Sequence, residues 1–250
     1  MKGSRYELIT LALRSQDLCN TELNGPDWRT KGRAWHRAIW TESAEAMGYI
    51  NWEWWKNVSE GSFRSTTDMR HFYMELADIL AFGLSLSLDD CDTDEADLDE
   101  LVLRIARQWE QAETAHGELT HSELLSMFEN IPRHALEWGC FDIMSLFSVA
   151  AATGLTVEGL FCYYLGKDVL NKFRKAHGYQ EGRYIKNWGT AQNPMEDNEH
   201  LIEVIERFRW MYKDNPSRLL DQIVGGSFQT HVKSALAIEY GNVIDRTVAH

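Results

Sequence analysis

Between residues 67 and 88 the apolar side chains recur every three or four positions, which is the spacing of one face of an α-helix. The residues on this face are Met69, Phe72, Tyr73, Leu76, Ile79, Leu80 and Leu84. The same periodicity predicts further helices at 5–20, 33–48, 97–115, 120–137, 141–153, 157–176, 198–212 and 229–244. The pattern assigns no element between the last two.

Composition supports a helical fold. Glycine and proline, the residues that most disfavour a helix interior, number only 17 and 4 among 250 residues. Runs of Val, Ile and Thr are rare, which disfavours a sheet. We therefore predict an all-α helical bundle that forms a single domain over residues 1–250. The segment 177–197, rich in Gly, Asn and aromatic residues, is predicted to be a loop that closes over a substrate.

Charge and cysteine usage limit the possible partners and the compartment. A net charge of −13 disfavours binding to nucleic-acid polymers and to anionic membranes, although a nucleotide can bind where a metal or a basic patch offsets the repulsion. No apolar signal-peptide core and no run of 18 apolar residues occur, so no membrane span is expected. Scattered cysteines without a C-x-x-C pair are typical of reduced thiols in a cytoplasmic protein; they are Cys19, Cys91, Cys140 and Cys162.

The segment 89–100 carries eight acidic residues, some of which alternate as in a calcium-binding loop. The calcium-loop pattern fails, however, because Glu95 stands where the turn glycine belongs and Leu101 stands where the closing glutamate belongs. We therefore interpret 89–100 as a solvated acidic loop.

Two carboxylate pairs, Glu42 with Glu45 and Glu75 with Asp78, are spaced three residues apart on the second and third predicted helices. Residues at this spacing share a helix face, and both pairs lie beside apolar stripes. Ionised carboxylates beside a core are unfavourable unless something compensates their charge, and Mg²⁺ is a natural compensation because it takes oxygen ligands. The spacing alone leaves open both a four-carboxylate metal site and a solvated or ion-paired face.

A di-iron bundle is a second metal hypothesis, because Glu113 with His116 and Glu118 with His121 have the Glu-x-x-His spacing. Such a centre draws these pairs from separate helices of a bundle. Here both pairs lie within nine residues of each other, so the sequence disfavours a di-iron centre.

The stretch 166–188 is net +4 within an acidic chain. Lys167, Asn171 and Arg174 stand at i, i+4 and i+7, which places them on one helix face, and an irregular segment follows. Cations on a rigid face before a closing loop suit a polyphosphate, and metals together with cations form the electrostatic arrangement that phosphoryl hydrolysis uses. A solubilising basic face is the alternative.

Three blocks in this order resemble the dimeric all-α dUTPases, within the all-α nucleoside triphosphate pyrophosphatase superfamily. They are WHRAIWTESAEAMGYINWEWWKN at 35–57, MELADILAF at 74–82, and YYLGKDVLNKFRKAHGYQEGRYIKNW at 163–188, which EDNEHL at 196–201 follows. The E-x-x-E and E-x-x-D elements alone would indicate only the superfamily.

The resemblance implies a homodimer that hydrolyses dUTP to dUMP and pyrophosphate, and dUDP to dUMP and phosphate, with water activated by Mg²⁺ or its substitute Mn²⁺. It implies four metal ligands, Glu42, Glu45, Glu75 and Asp78. We expect either Glu42 or Glu45 to act as the general base. The implied base and sugar contacts are Gln16, Asn20, Trp54, Phe82, Asn171 and Asn198. The implied phosphate contacts are Lys56, Lys167, Arg174, Tyr179, Tyr184 and Lys186.

Two alternatives remain at the level of the sequence. One is a dCTP or broader nucleotide pyrophosphatase on the same scaffold. The other is a non-catalytic helical module that binds a nucleotide, which the retention of all four carboxylates disfavours.

Overall fold

The computed structural model describes residues 2–56, 62–91, 95–114, 119–190 and 192–248. Within these ranges the fold is all-α, as predicted, and its only β structure is two isolated bridges. The α-helices are α1 Lys2–Asn24, α2 Trp35–Met47, α3 Thr66–Asp89, α4 Glu95–Thr114, α5 His121–Trp138, α6 Ile143–Ala152, α7 Val157–Ala176, α8 Asp197–Met211, α9 Pro216–Val224 and α10 Ser227–Val248, and a 3-10 helix spans Trp28–Lys31. No single helix in these ranges is both long enough and apolar enough to cross a membrane. The two helices Ile143–Ala152 and Val157–Ala176, which are bent relative to each other, meet both criteria only when they are taken together.

The chain divides into two compact units, Met1–Tyr164 and Leu165–His250, and the boundary falls inside α7. In the first unit α2 packs on α3 and α5, α6 packs on α4 and α5, and α1 packs on α3 and α4. In the second unit α8 and α9 both pack on α10. The single domain over residues 1–250 stays a prediction.

Helix α3 is the central element of the first unit, and its sequence accounts for its stability. The Ser65 side chain accepts a hydrogen bond from the backbone N–H of Asp68 and so caps the first turn. The predicted apolar face is buried except for Met69, which is half-buried, and Phe72 lies with its ring centroid 5.3 Å from Phe63 and 5.6 Å from Phe128. Full burial of an aromatic side chain of this size contributes about 1.5–3 kcal/mol.

The prediction of a solvated acidic loop over 89–100 is wrong at both ends. Asp89 is the last residue of α3, and Glu95–Glu100 form the first turns of α4; residues 92–94 lie outside the described part of the chain. Acidic side chains favour the first turn of a helix because they face the positive end of the helix dipole. The same run of charges that suggests a loop therefore starts a helix. His116 and Glu118 of the di-iron hypothesis also lie outside the described residues.

Several predicted boundaries change, and one helix was not predicted. Helix α1 extends the predicted 5–20 at both ends, and α10 begins at Ser227 instead of 229. Helix α9 lies between the predicted helices 198–212 and 229–244, where no element was predicted. The local sequence explains why a helix begins there: the Asn215 side chain accepts a hydrogen bond from the N–H of Arg218, and Pro216 stands at the first helical position. The predicted irregular segment is confirmed for the described residues from His177 to Glu196, whereas Asp197 already begins α8.

Glu158 in the first turn of α7 carries a pH-dependent cost. Burial raises the pKa of its carboxyl group above the usual value of 4.5, and the nearby Arg5 opposes that shift. A pKa raised by folding means that the group favours the native state at low pH and that this contribution is lost as pH rises through the folded pKa. We therefore expect Glu158→Gln to gain stability relative to the natural chain between pH 4 and pH 8.

The measurement is urea unfolding of both proteins at the two pH values, with Glu7→Gln, an exposed glutamate of α1, as the matched control. A Glu158→Gln difference in unfolding free energy that does not change with pH would contradict the burial argument.

Candidate metal centre and nucleotide site

Helices α2 and α3 bring three of the four predicted carboxylates together. Glu42 comes from α2, and Glu75 and Asp78 come from one face of α3. One carboxylate oxygen from each lies within 4.8 Å of the others, and all three residues are half-buried. Helix α2 is held in this orientation by the face it buries, which consists of Trp35, Ile39, Ser43 and Ala46.

Glu45 differs from the other three carboxylates. It lies one helical turn after Glu42 on α2, but its side chain is exposed, and it is outside the three-residue group. Its assignment as a metal ligand or general base stays a prediction.

The three-residue group fits a hard divalent cation. Its donors are all carboxylate oxygens, the ligand type that Mg²⁺ takes in proteins. Ligands of one octahedral ion with bonds of about 2.1 Å lie up to about 4.2 Å apart, so small side-chain rotations bring these three oxygens onto one ion. Half-burial leaves one side of the group accessible to water and phosphate oxygens.

The predicted base contacts Gln16 and Asn20 belong to a buried polar network in the first unit. Their amide nitrogens both donate to the hydroxyl oxygen of Ser85, each at 3.0 Å, and Gln16 Nε2 also donates to Asn20 Oδ1 at 3.2 Å. The Tyr164 hydroxyl, which has one proton, lies 3.0 Å from each of two acceptors, Gln16 Oε1 and the backbone carbonyl oxygen of Ala12. Gln16 and Asn20 are only 7% and 3% exposed, so an unmatched polar group here would be costly.

Sequence reasoning did not find Ser85 and Tyr164. A signal for Ser85 existed, because it follows Asp78 by seven residues, which is two helical turns on the same face of α3. The distance along the helix axis is about 10 Å, so the network and the carboxylate group lie at two ends of one helix face.

The aromatic residues predicted at the base differ in how far they are enclosed. Phe82, one turn beyond Asp78, is half-buried, and its ring centroid lies 6.3 Å from that of Trp35. Trp54 is 85% exposed and packs edge-on against Trp55 with ring centroids 5.5 Å apart. The adjacent Lys56 forms an ion pair with Glu53 at 2.6 Å.

In the second unit, Arg174 and Tyr184 are held by a residue that the sequence did not single out. Asp197 is fully buried and accepts two hydrogen bonds from the Arg174 guanidinium, at 2.8 and 2.7 Å, and one from the Tyr184 hydroxyl at 2.7 Å. Burial, reinforced by the Asp197 carboxylate, raises the pKa of Tyr184 far above its usual value of 10.0. Arg174 also donates to Asn198 Oδ1 at 3.1 Å.

The other residues predicted at the phosphates have varied surroundings within the second unit. Tyr179 is half exposed, with its ring centroid 5.9 Å from that of Tyr184, and Lys186 forms an ion pair with Glu196 at 2.9 Å. Lys167 and Asn171 lie on α7, the first half-buried and the second exposed. Their roles, like that of Arg174, stay predictions.

The fold and the site together define an all-α protein with a candidate divalent-metal centre built from two packed helices. A family model described as dUTPase matches residues 9–179, which is more than half of the chain. The chain therefore belongs to the dUTPase family, is a dUTP diphosphatase, and hydrolyses dUTP. Divalent metals are general among dUTPases, and the carboxylate group is a place to hold one. No curated protein matches the chain.

The match confirms the resemblance inferred from the sequence blocks and includes α1 from residue 9 onward. It ends at residue 179, so three of the residues assigned through the resemblance lie beyond it: Tyr184, Lys186 and Asn198.

Proposed function

We propose that the chain cleaves dUTP to dUMP and pyrophosphate, and dUDP to dUMP and phosphate, with Mg²⁺ held by Glu42, Glu75 and Asp78. The observation that carries this proposal is the approach of the three carboxylate oxygens to within 4.8 Å of one another. Family membership supplies the reaction, and the hard oxygen donors favour Mg²⁺, with Mn²⁺ able to replace it.

The chemistry divides between the cation and the residues of the chain. A bound divalent cation supplies positive charge against the phosphate oxygens and lowers the pKa of water near it. Glu45, which is exposed one turn after Glu42 on α2, is the proposed general base that accepts the proton of the attacking water. The water oxygen joins the β-phosphorus while the bridging oxygen leaves with dUMP, so both substrates release the same nucleotide.

Recognition of the base rests on the opposite end of the same helix face. Gln16 and Asn20 would contact uracil beside Ser85, and Phe82 would pack against the ring. The separation of about 10 Å between Asp78 and Ser85 supports this arrangement, because it leaves room for a sugar and a phosphate between a base and a polyphosphate. Trp54, Asn171 and Asn198 are proposed sugar and base contacts on the strength of the resemblance.

Phosphate binding is proposed for the basic and tyrosine residues that the resemblance assigns. Lys56, Lys167, Arg174 and Lys186, with the hydroxyls of Tyr179 and Tyr184, are proposed to offset the charge of the polyphosphate. For Arg174 this requires that the guanidinium keeps its pairing with Asp197 and offers its remaining N–H groups, since a guanidinium has five donors.

A homodimer in the cytoplasm is proposed for the assembled protein. Exposed aromatic and aliphatic side chains on two packed helices support an interaction surface: Trp40 of α2 is 54% exposed, and Leu136 and Trp138 of α5 are 50% and 57% exposed. Sedimentation equilibrium that gives the mass of a single chain at micromolar concentration would contradict the dimer.

The substrate and metal assignments are tested together by product analysis. We expect release of dUMP from dUTP and dUDP, little turnover of dCTP or dTTP, and a loss of at least about 10³-fold in excess chelator, because a cation contributes several kcal/mol to such a transition state. Added Mg²⁺ should restore the rate. Full turnover in the chelator would contradict the metal assignment, and equal turnover of dCTP would contradict the base assignment.

A further inference from the structure

The Ser85 hydroxyl lies between three groups of the buried network. Its oxygen is 2.9 Å from the backbone carbonyl oxygen of Ala81, one turn earlier on α3, and 3.0 Å from each of the amide nitrogens of Gln16 and Asn20. All four residues belong to the first unit, and Ser85 is fully buried.

The single proton of that hydroxyl decides how the two amides are oriented. Two acceptors face the Ser85 hydroxyl, the Ala81 carbonyl oxygen at 2.9 Å and Asn20 Oδ1 at 3.4 Å, and the shorter contact takes its proton. Both lone pairs of the Ser85 oxygen then face outward as acceptors, and only the NH₂ end of each amide can satisfy them. With its other N–H, Gln16 donates to Asn20 Oδ1, and its own oxygen lies 3.0 Å from the Tyr164 hydroxyl, which is equally close to the carbonyl oxygen of Ala12.

This bonding leaves Asn20 with one defined donor. The Ser85 oxygen lies 3.0 Å from Asn20 Nδ2 and 3.4 Å from Asn20 Oδ1, so it faces the amide edge that carries both atoms, and Gln16 also donates to Oδ1. Within the part of the chain that the structure describes, the second N–H of Asn20 remains, and it points away from Oδ1. A donor at this position matches a carbonyl oxygen of uracil. Cytosine carries an amino group where uracil has its O4 carbonyl, so the same N–H would face donor with donor.

We propose that Ser85 is a positioning residue for base selection, which acts by holding the amides of Gln16 and Asn20 in the orientation that accepts uracil and rejects cytosine. The inference rests on the proposed contact of Asn20 with the base. Rotation of the Asn20 amide by 180° would exchange its donor and acceptor, and the Ser85 oxygen opposes that rotation because a carbonyl oxygen turned toward its lone pairs would be repelled.

The test is the ratio of kcat/KM for dUTP to kcat/KM for dCTP in Ser85→Ala. We expect the ratio to fall about tenfold, mainly through a gain in the dCTP term, because one buried hydrogen bond that enforces the orientation is lost. A purely structural role would lower both terms together and leave the ratio unchanged. Ser85→Cys, which keeps the volume but is a weak acceptor, should show the same fall and serves if the alanine variant does not fold.

Two controls separate the possible failures. Ser87→Ala removes a hydroxyl on the same helix that makes the same type of bond, to the carbonyl of Gly83 at 3.0 Å, and should keep the ratio. Asn20→Ala should remove the preference for dUTP. If Asn20→Ala keeps the preference for dUTP, or if the natural chain has no such preference, the proposed base contact is wrong. The proposed role of Ser85 is then wrong as well, because it depends on that contact. If Asn20→Ala loses the preference while folded Ser85→Ala and Ser85→Cys retain it, only the role of Ser85 is overturned.

Discussion

Asp78→Asn should lower kcat for dUTP by about 10³-fold or more without unfolding the protein. Asp78 supplies one of the three carboxylate oxygens gathered within 4.8 Å, and an amide is a weaker, uncharged ligand for a hard cation. The substitution keeps the volume of the side chain on a half-buried helix position, so we expect no large loss of stability. The measurement is steady-state hydrolysis of dUTP with saturating Mg²⁺, beside thermal unfolding of the same samples.

The matched control is Asp99→Asn, which makes the same chemical change at an exposed position of α4 and should leave turnover intact. Glu42→Gln and Glu75→Gln should behave like Asp78→Asn. Glu45→Gln should lower kcat by about 10²–10⁴-fold while the affinity for the metal persists, as expected of a general base outside the cation's ligands. Asp78→Asn with more than a tenth of the natural turnover would remove Asp78 from the proposed site.

Asp197→Asn should destabilise the protein by about 3–5 kcal/mol, the largest change in stability that we expect from a single isosteric substitution here. Asp197 is fully buried, and its carboxylate accepts two hydrogen bonds from Arg174 and one from Tyr184. Asparagine leaves the Arg174 charge largely buried without its counter-charge and turns an NH₂ group toward other donors. Urea unfolding followed by circular dichroism measures the loss.

An exposed ion pair in the same unit provides the comparison. Glu203 lies 3.1 Å from Arg207 on α8, with the two side chains 49% and 76% exposed, so Glu203→Gln should change stability by no more than about 0.5 kcal/mol. A loss below about 1 kcal/mol in Asp197→Asn would show that the buried pair does not stabilise the fold.

Much of the fold could be predicted because an amphipathic helix has a regular apolar spacing that is visible in the local sequence. The apolar period over 67–88 identifies α3 to within one residue at each end, and the predicted helix at 157–176 matches α7 in full. The carboxylate pairs also follow from local spacing, and the resemblance to the dUTPases assigns their chemistry. The loop prediction is wrong at Glu95–Glu100, because acidic residues are common both in solvated loops and in the first turn of a helix.

The partners of the site residues could not be predicted, because they depend on packing between distant segments. Ser85 meets Gln16 and Asn20 across 69 and 65 residues, and Tyr164 meets Gln16 across 148. Spacing places Glu45 on the same side of α2 as Glu42, yet only the packing of α2 on α3 decides that Glu42 joins the carboxylate group while Glu45 is exposed. Asp197 is similar, since no pattern in the EDN segment indicates that its carboxylate is buried beneath Arg174.

The most direct measurement is binding of Mn²⁺ to the natural chain and to Asp78→Asn, followed by the electron paramagnetic resonance signal of the free ion. Residues Glu42, Glu75 and Asp78 should remove Mn²⁺ from solution in the natural chain, and Mg²⁺ should compete for the same site. The Asp78→Asn protein at equal concentration should leave most of the free-ion signal in place, whereas Asp99→Asn should bind as the natural chain does. Equal loss of the signal with the natural chain and with Asp78→Asn would contradict a metal centre at these three carboxylates.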